Sequence, residues 1–395
     1  MRILLVEPDY YTRFPPLGLL KLTSYHRLVG DSVELVRGCR QVKDEPKRIY
    51  VTSLFTWAWR PVWEAVRYYK RLFPKAEVWL GGIYASLLTR HAEASGADRV
   101  WSGIFPEAED LMPAYDLVPE WQSTLLFTSR GCVRRCGFCS VPKLEGQLSR
   151  VKQGIRSMIY PGHNKVVFFD NNILASSTWR SIFQELVELE IKVDFNQGLD
   201  ARLINDEAAE LISNMRIEPF VRLAYDYKGV RDYLERAIRT LKEHGVNGRE
   251  IMVYILFNYL DDPEDFFERV LDVLRWGAVA YPMRYEPLTT LEKNKYVSPR
   301  WTKDEVEMVQ KARRVLGFGG AFPPYSALIE KFERAKDFGE AFSLREPSPL
   351  YPKLTVRTRD ALEEVAVEHE ALRRKEYFPA WRRYMDWRTA LTRGK

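Results

Sequence analysis

Cysteine and histidine are the scarce residues of this chain: four and five, respectively, in 395 residues. Four cysteines are too few for a disulfide-built protein, and three of them crowd into eight residues, where a disulfide framework would spread them out. That crowding predicts a metal or cluster site in a reducing compartment, and with it a cytoplasmic protein. No apolar run approaches the ~20 residues needed to cross a bilayer. The opening Met-Arg-Ile-Leu-Leu-Val-Glu-Pro meets a charge too soon for the apolar region of a signal peptide. Charge of one sign is also lacking: 60 Lys and Arg stand against 54 Asp and Glu. The excess gathers at the end, where residues 371–395 hold eight basic and two acidic side chains, leaving the first 370 nearly neutral.

What is present is a sizeable core. Hydrophobic residues make up 46% and aromatics 13%, which excludes a disordered chain. The length gives two to three domains at ~150 residues each. Apolar runs at 1–8, 33–36, 49–55, 78–80 and 99–101 alternate with helical spacing at 17–29 and 60–72. This predicts an α/β open parallel sheet, flavodoxin- or Rossmann-like, over 1–110. Proline-rich residues 111–123 read as a connector. Candidate strands follow at 124–129, 165–170, 192–197, 219–225, 251–257 and 278–285, with helices at about 147–159, 178–190, 206–214, 230–244 and 263–276. Six strand–helix units predict a partial (β/α)6 barrel over 124–286. Residues 287–395 read as a mostly helical C-terminal extension, with a linker at 347–352 and a helix over 359–390.

The chemical signal is Arg130-Gly131-Cys132-Val133-Arg134-Arg135-Cys136-Gly137-Phe138-Cys139, directly after the first barrel strand. Three thiolates at C-x3-C-x2-C can hold three corners of a cubic iron–sulfur cluster within one loop. The fourth iron then lacks a protein ligand, which is how catalytic metals differ from structural ones. A zinc loop is the plainer alternative, but structural zinc takes four ligands and no histidine lies nearby. Arg134 and Arg135 are placed to offset the charge of the thiolates. Cys39, remote in sequence, reads as a small packing residue and leaves nothing to hold a second cluster.

This loop, with an aromatic before its last cysteine and a six-unit barrel around it, resembles the radical S-adenosylmethionine superfamily. The resemblance covers about 124–286. It implies that Cys132, Cys136 and Cys139 ligate one 4Fe-4S cluster whose open iron chelates S-adenosylmethionine, and that reductive cleavage gives a 5′-deoxyadenosyl radical. Phe138 matches the family's aromatic, which packs near the adenine. An electron donor such as flavodoxin or ferredoxin is implied as partner. Residues 1–110 resemble the cobalamin-binding-like domain that precedes the barrel in a subset of the family, on Ile3–Pro8, Pro15–Leu20 and Trp79-Leu80-Gly81-Gly82. No Asp-x-His-x-x-Gly occurs, so the histidine that ligates cobalt in many cobalamin proteins is absent. His26 and His91 read as ordinary helix-surface histidines.

Polar residues at strand ends are the candidates for holding S-adenosylmethionine or substrate. They are Asp170, Asn171 and Asn172 after the second strand and Asn196, Gln197, Asp200 and Arg202 after the third. Arg222, Tyr225 and Asp226 follow from the fourth, Asn258 and Asp261 from the fifth, Tyr285 and Glu286 from the sixth. Asp170 to Asn172 sit where the family contacts the amino group of S-adenosylmethionine, and Arg202 is suited to pair with its carboxylate. In the first domain, Gly81 and Gly82 stand at a strand end, where glycine lets a ligand approach the backbone. For every one of these the plainer reading is a cap or turn residue.

Three readings stay open: cobalamin-dependent methyl transfer to carbon, cobalamin-free radical rearrangement or modification of RNA or a small molecule, and a non-catalytic iron–sulfur protein. The substrate is unknown. In the tail, Tyr377, Trp381, Tyr384 and Arg388 fall at helical spacing, which favours a packing face over nucleic-acid contact.

Overall fold

A computed structural model describes residues 1–317 and 325–343. The chain forms two compact units, Met1–Gly319 and Gly320–Lys395.

The first unit begins with five parallel strands, β1 (Arg2–Glu7), β2 (Ser32–Arg37), β3 (Arg48–Val51), β4 (Glu77–Leu80) and β5 (Arg99–Val100). Their order is β2-β1-β3-β4-β5. β1 is buried on both faces because it is central and apolar throughout, as parallel strands between helix layers must be. Helix α1 (Leu17–Leu28) sends Leu19 to one face, against Ile3, Leu5 and Tyr50. Helix α2 (Trp59–Leu72) covers the other with Val62, Ala65, Val66 and Tyr69, a spacing that puts all four on one stripe. The short helices α3 (Ile83–Leu87) and α4 (Thr89–Glu93) join this layer through Tyr84, Ala85 and Ala92, and α5 (Pro106–Glu109), which meets α1 through the Lys21 bond to the Glu109 carbonyl, leads into the connector.

Parallel strands then alternate with helices. β6 (Ser123–Leu126), β7 (Lys165–Phe168), β8 (Lys192–Phe195) and β9 (Arg216–Ile217) make one sheet in sequential order. β10 (Val221–Tyr225), β11 (Ile251–Phe257) and β12 (Val279–Arg284) make a second. The fourth barrel strand is therefore split into β9 and β10, and the backbone bond from Leu199 to the Arg222 carbonyl bridges the two sheets (2.8 Å). Helix α6 (Val141–Leu144) follows the cysteine loop. The long helices α7 (Trp179–Leu189), α8 (Asp206–Asn214), α9 (Arg231–Glu243) and α10 (Pro263–Arg275) connect the later strands. Side chains cap two of them: Asn205 accepts from Ala208 and Asp262 from Asp265. Helix α11 (Lys303–Gly317) closes the unit. The sequence reading of an open parallel sheet followed by a partial six-unit barrel thus describes the fold.

One element differs. The expected helix at 147–159 is only a turn at Arg156–Met158. Its first half is irregular and pairs backward, Ser149 with Arg130 and the Lys152 amide with the Thr128 carbonyl. Those bonds take the amides a helix would need, and they brace the loop that carries the cysteines.

In the second unit, α12 (Tyr325–Arg334) and α13 (Phe338–Phe342) pack Phe332 and Phe338 on the Phe342 ring. The expected linker at 347–352, the helix at 359–390 and the basic tail at 371–395 lie outside the described residues. Among the described residues no helix is long and apolar enough to cross a membrane.

Candidate active site

The cysteine loop leaves the C-terminal end of β6, and buried carboxylates pin it there. Asp170, just past β7, accepts four hydrogen bonds: from the amide and hydroxyl of Thr128 (2.8 and 2.7 Å) and of Ser129 (2.6 and 2.8 Å). Oδ1 takes three of these bonds and Oδ2 one, so Asp170 orients the turn that leads into the loop. Glu145 closes the other side. It accepts from the Gly131 amide (2.8 Å), from Arg130 (3.3 Å) and from Asn171 (3.0 Å). Arg130 also reaches Glu109 at the end of α5, at 2.7 Å. Gly131 has φ +76°, and a Cβ there would collide with the Gln147 carbonyl, so only glycine starts the loop this way.

Cys132, Cys136 and Cys139 are free thiols of intermediate exposure. They converge closely enough to feel one another's charge. Burial pushes the Cys136 and Cys139 thiols up, and each is raised further by its neighbouring cysteines and by Asp226. The Arg134 amide donates to Cys132 Sγ at 3.3 Å. Among the described residues no three ligands are gathered around a single ion. A cubic cluster takes its three thiolates on separate corners. Three thiols with no fourth ligand, an amide on one sulfur and arginines close by form a donor set that fits such a cluster.

Asp200 is the polar hub facing the loop. It accepts from Arg202, from Asn172 (2.9 Å) and from Arg134 (3.2 Å). Burial alone would raise its carboxyl, but Arg202 and Asn172 bring it below the usual range. Arg134 is thus tied to Asp200, while Arg135 is exposed. Arg202 is likewise already engaged, although a partner for a carboxylate was the expectation. Asn172 is buried, and its Oδ1 has no hydrogen-bond partner. Asp226, after β10, lies within electrostatic range of Asp200, Arg202 and the cysteines; burial pushes its carboxyl up to about 6. Phe138 packs edge-on against Tyr259 (5.7 Å), whose ring meets Tyr285 at a tilt (4.6 Å), an aromatic wall from the loop to just past the last strand.

Other candidates do not join this group. Tyr225 is fully buried on the helix side of β10, its hydroxyl on Asp272 of α10 (3.1 Å). Asn258 has a left-handed backbone and binds the Tyr285 and Tyr296 carbonyls and the Ser298 amide, so it ties the chain after β12. Gln197 is exposed on the turn after β8. Gly81 and Gly82 form the chain's own turn: a Cβ on Gly82 would strike the Ser53 carbonyl, and Ser53 Oγ donates to the Gly81 carbonyl (2.6 Å). Gly82 thus makes room for Ser53, whereas a Cβ on Gly81 would meet only Trp101 at 3.9 Å.

Sequence reasoning missed Glu145 and Glu109 of α5, because one carboxylate among many carries no local signal. It also misplaced His26. That residue is buried, with Asp31 at 2.7 Å and the Tyr50 hydroxyl at 3.2 Å. His91 bonds Tyr84 (2.6 Å) amid Trp59 and Trp63. Cys39, expected to pack, is exposed.

The strand order 2-1-3-4-5 places a ligand crevice at the β1/β3 switch point. Glu7 and Tyr10 flank it on one side and Ser53 to Trp57 on the other. Trp57 stacks flat on Phe55 (4.6 Å), and Lys293, from beyond β12, lies 5.5 Å over the Trp57 ring. For cobalamin the crevice supplies a flat aromatic wall but no imidazole, since His26 and His91 are engaged elsewhere.

No family model and no curated protein matches the chain. Solved structures do. The radical S-adenosylmethionine methyltransferase TsrM from Kitasatospora setae, with tryptophan substrate and the analog aza-SAM bound, superposes with a TM-score of 0.54 at 16% identity, over 72% of each chain. The same enzyme with cobalamin and a 4Fe-4S cluster bound gives 0.54 at 16% identity, over 73% of this chain and 77% of that one. The chain therefore shares the fold of that methyltransferase. The superposed share is longer than the barrel span 124–286 by itself.

Proposed function

We propose that this chain is a radical S-adenosylmethionine enzyme and that Cys132, Cys136 and Cys139 hold its single 4Fe-4S cluster. The observation that carries the reading is the convergence of three thiols, without a fourth ligand, on a loop braced by Asp170 and Glu145. When bound, the cluster supplies one electron to S-adenosylmethionine, and an electron donor of the flavodoxin or ferredoxin kind restores it. The protein's own part is positional. Asp200, with Arg202, Asn172 and Arg134, fixes the polar side of the loop, and Phe138 with Tyr259 forms the apolar side. Asn172 Oδ1 is the acceptor left open for an amino group.

Within that class we infer methyl transfer to carbon as the reaction, supported by the N-terminal sheet joined to the barrel, the arrangement found in TsrM. The missing imidazole at the switch point favours a second reading, a cobalamin-free radical enzyme whose first domain roofs the substrate. Anaerobic reconstitution should give about four iron per chain, as one cubic cluster requires. Cys132→Ala should abolish it, and Cys39→Ala should not. Dithionite-reduced protein should release 5′-deoxyadenosine. A filled cluster that never yields it points to a non-catalytic iron–sulfur protein. Expression with cobalamin, followed by an absorption spectrum, separates the two enzymatic readings.

A further inference from the structure

Beside the β6 edge lies a cavity of about 360 Å³. Its walls come from Lys21 of α1, from the end of α5 and the residues after it (109–113), from β6 through Arg130 and from the segment at 150–158. The volume falls within the ~300–1,000 Å³ common for small-molecule sites. The walls are apolar where Met112, Leu125, Phe127 and Met158 contribute, so the space suits an organic body rather than a bare ion.

The charges around it do not balance. Lys21, Arg130, Arg150 and Lys152 line the cavity against only Glu109 and Asp110. Glu109 serves two cations at once, Lys21 at 3.5 Å and Arg130 at 2.7 Å. Asp110 is taken by Lys152. Arg150 has no ion-pair partner among the described residues, and its φ of +52° is one that non-glycine residues seldom adopt. A strained backbone that holds an unpaired guanidinium at a cavity rim is a feature of binding sites more than of packing.

We propose that this cavity binds a small organic anion, a phosphate or carboxylate on an apolar body, with Arg150 and Lys152 at its mouth and Lys21 and Arg130 at its inner end. The site is separate from the cluster and independent of the reaction proposed above. It is connected to the cysteine loop through one residue: Arg130 also bonds Glu145, which holds the Gly131 amide.

Calorimetric titration of the full-length chain, at fixed ionic strength, with phenyl phosphate and with benzoate tests the assignment. One saturable site is expected, and the tighter probe identifies the anionic group. Arg150→Ala and Lys152→Ala should each weaken binding roughly tenfold, the loss of one charge-assisted bond. Arg239→Ala, an exposed change on α9, should leave it unaltered. No saturable binding of either probe overturns the proposal, as does an equal loss in Arg239→Ala, which would reduce the effect to net charge. Because the titration needs neither iron nor S-adenosylmethionine, its failure and a failure of the radical chemistry are read separately.

Discussion

Arg202 grips Asp200 at both carboxylate oxygens, Nε on Oδ1 at 2.6 Å and Nη2 on Oδ2 at 3.1 Å. The two residues are neighbours in a 3-10 turn, so the grip is local and preformed. It turns an arginine that sequence reasoning reserved for an incoming carboxylate into the support of an internal one.

Loss of that support should show in acid. The Asp200 carboxyl titrates below its unfolded value of 3.8. Its contribution to stability is therefore complete above that pH and is lost as pH falls through the lower folded value. Arg202→Ala should shift acid unfolding to higher pH and cost about 1.5–3 kcal/mol at neutral pH, the range for a charge-assisted pair. Denaturant midpoints measured from pH 7 down to acid unfolding check both effects.

Asp226 should behave in the opposite sense. Its carboxyl is raised from 3.8 to about 6, chiefly by burial, with Arg269 and Arg202 opposing. A raised acid binds more protons folded than unfolded, so stability is greatest below the unfolded value and declines as pH climbs through 6. In cluster-free protein, Asp226→Asn should stabilise at pH 7 by up to about 3 kcal/mol, at 1.36 kcal/mol per pH unit, and the gain should vanish in acid. Thermal melts of both proteins across that range measure it; a gain that persists unchanged at low pH contradicts the assignment.

Gly131→Ala tests the loop itself. The new methyl group meets the Gln147 backbone carbonyl, and the left-handed φ penalises any side chain. The barrel core does not pass through this position, so the protein should fold and yet retain little iron after reconstitution. Far-ultraviolet circular dichroism alongside iron analysis distinguishes this from global unfolding.

Periodicity and local spacing were sufficient for much of this molecule. The continuous apolar strands β1 and β11, the amphipathic helices α2 and α10 and the three-cysteine loop are all short-range patterns, and burial on one stripe or two faces writes them directly into residue order. Tertiary structure decided what each polar residue does. Asp170, Asn171 and Arg202 stand at the strand ends as expected, yet their partners are Thr128, Ser129, Glu145 and Asp200, up to 42 residues away in the chain. The segment at 147–159 has helical periodicity, but pairing with Arg130 and Thr128 supplied its amides with other acceptors. Tyr225 and Asn258 lie on strands or at strand ends, where one residue of register separates the helix side from the barrel interior. A buried carboxylate must find donors wherever the fold presents them, so its role depends on distances that no local pattern of residues encodes.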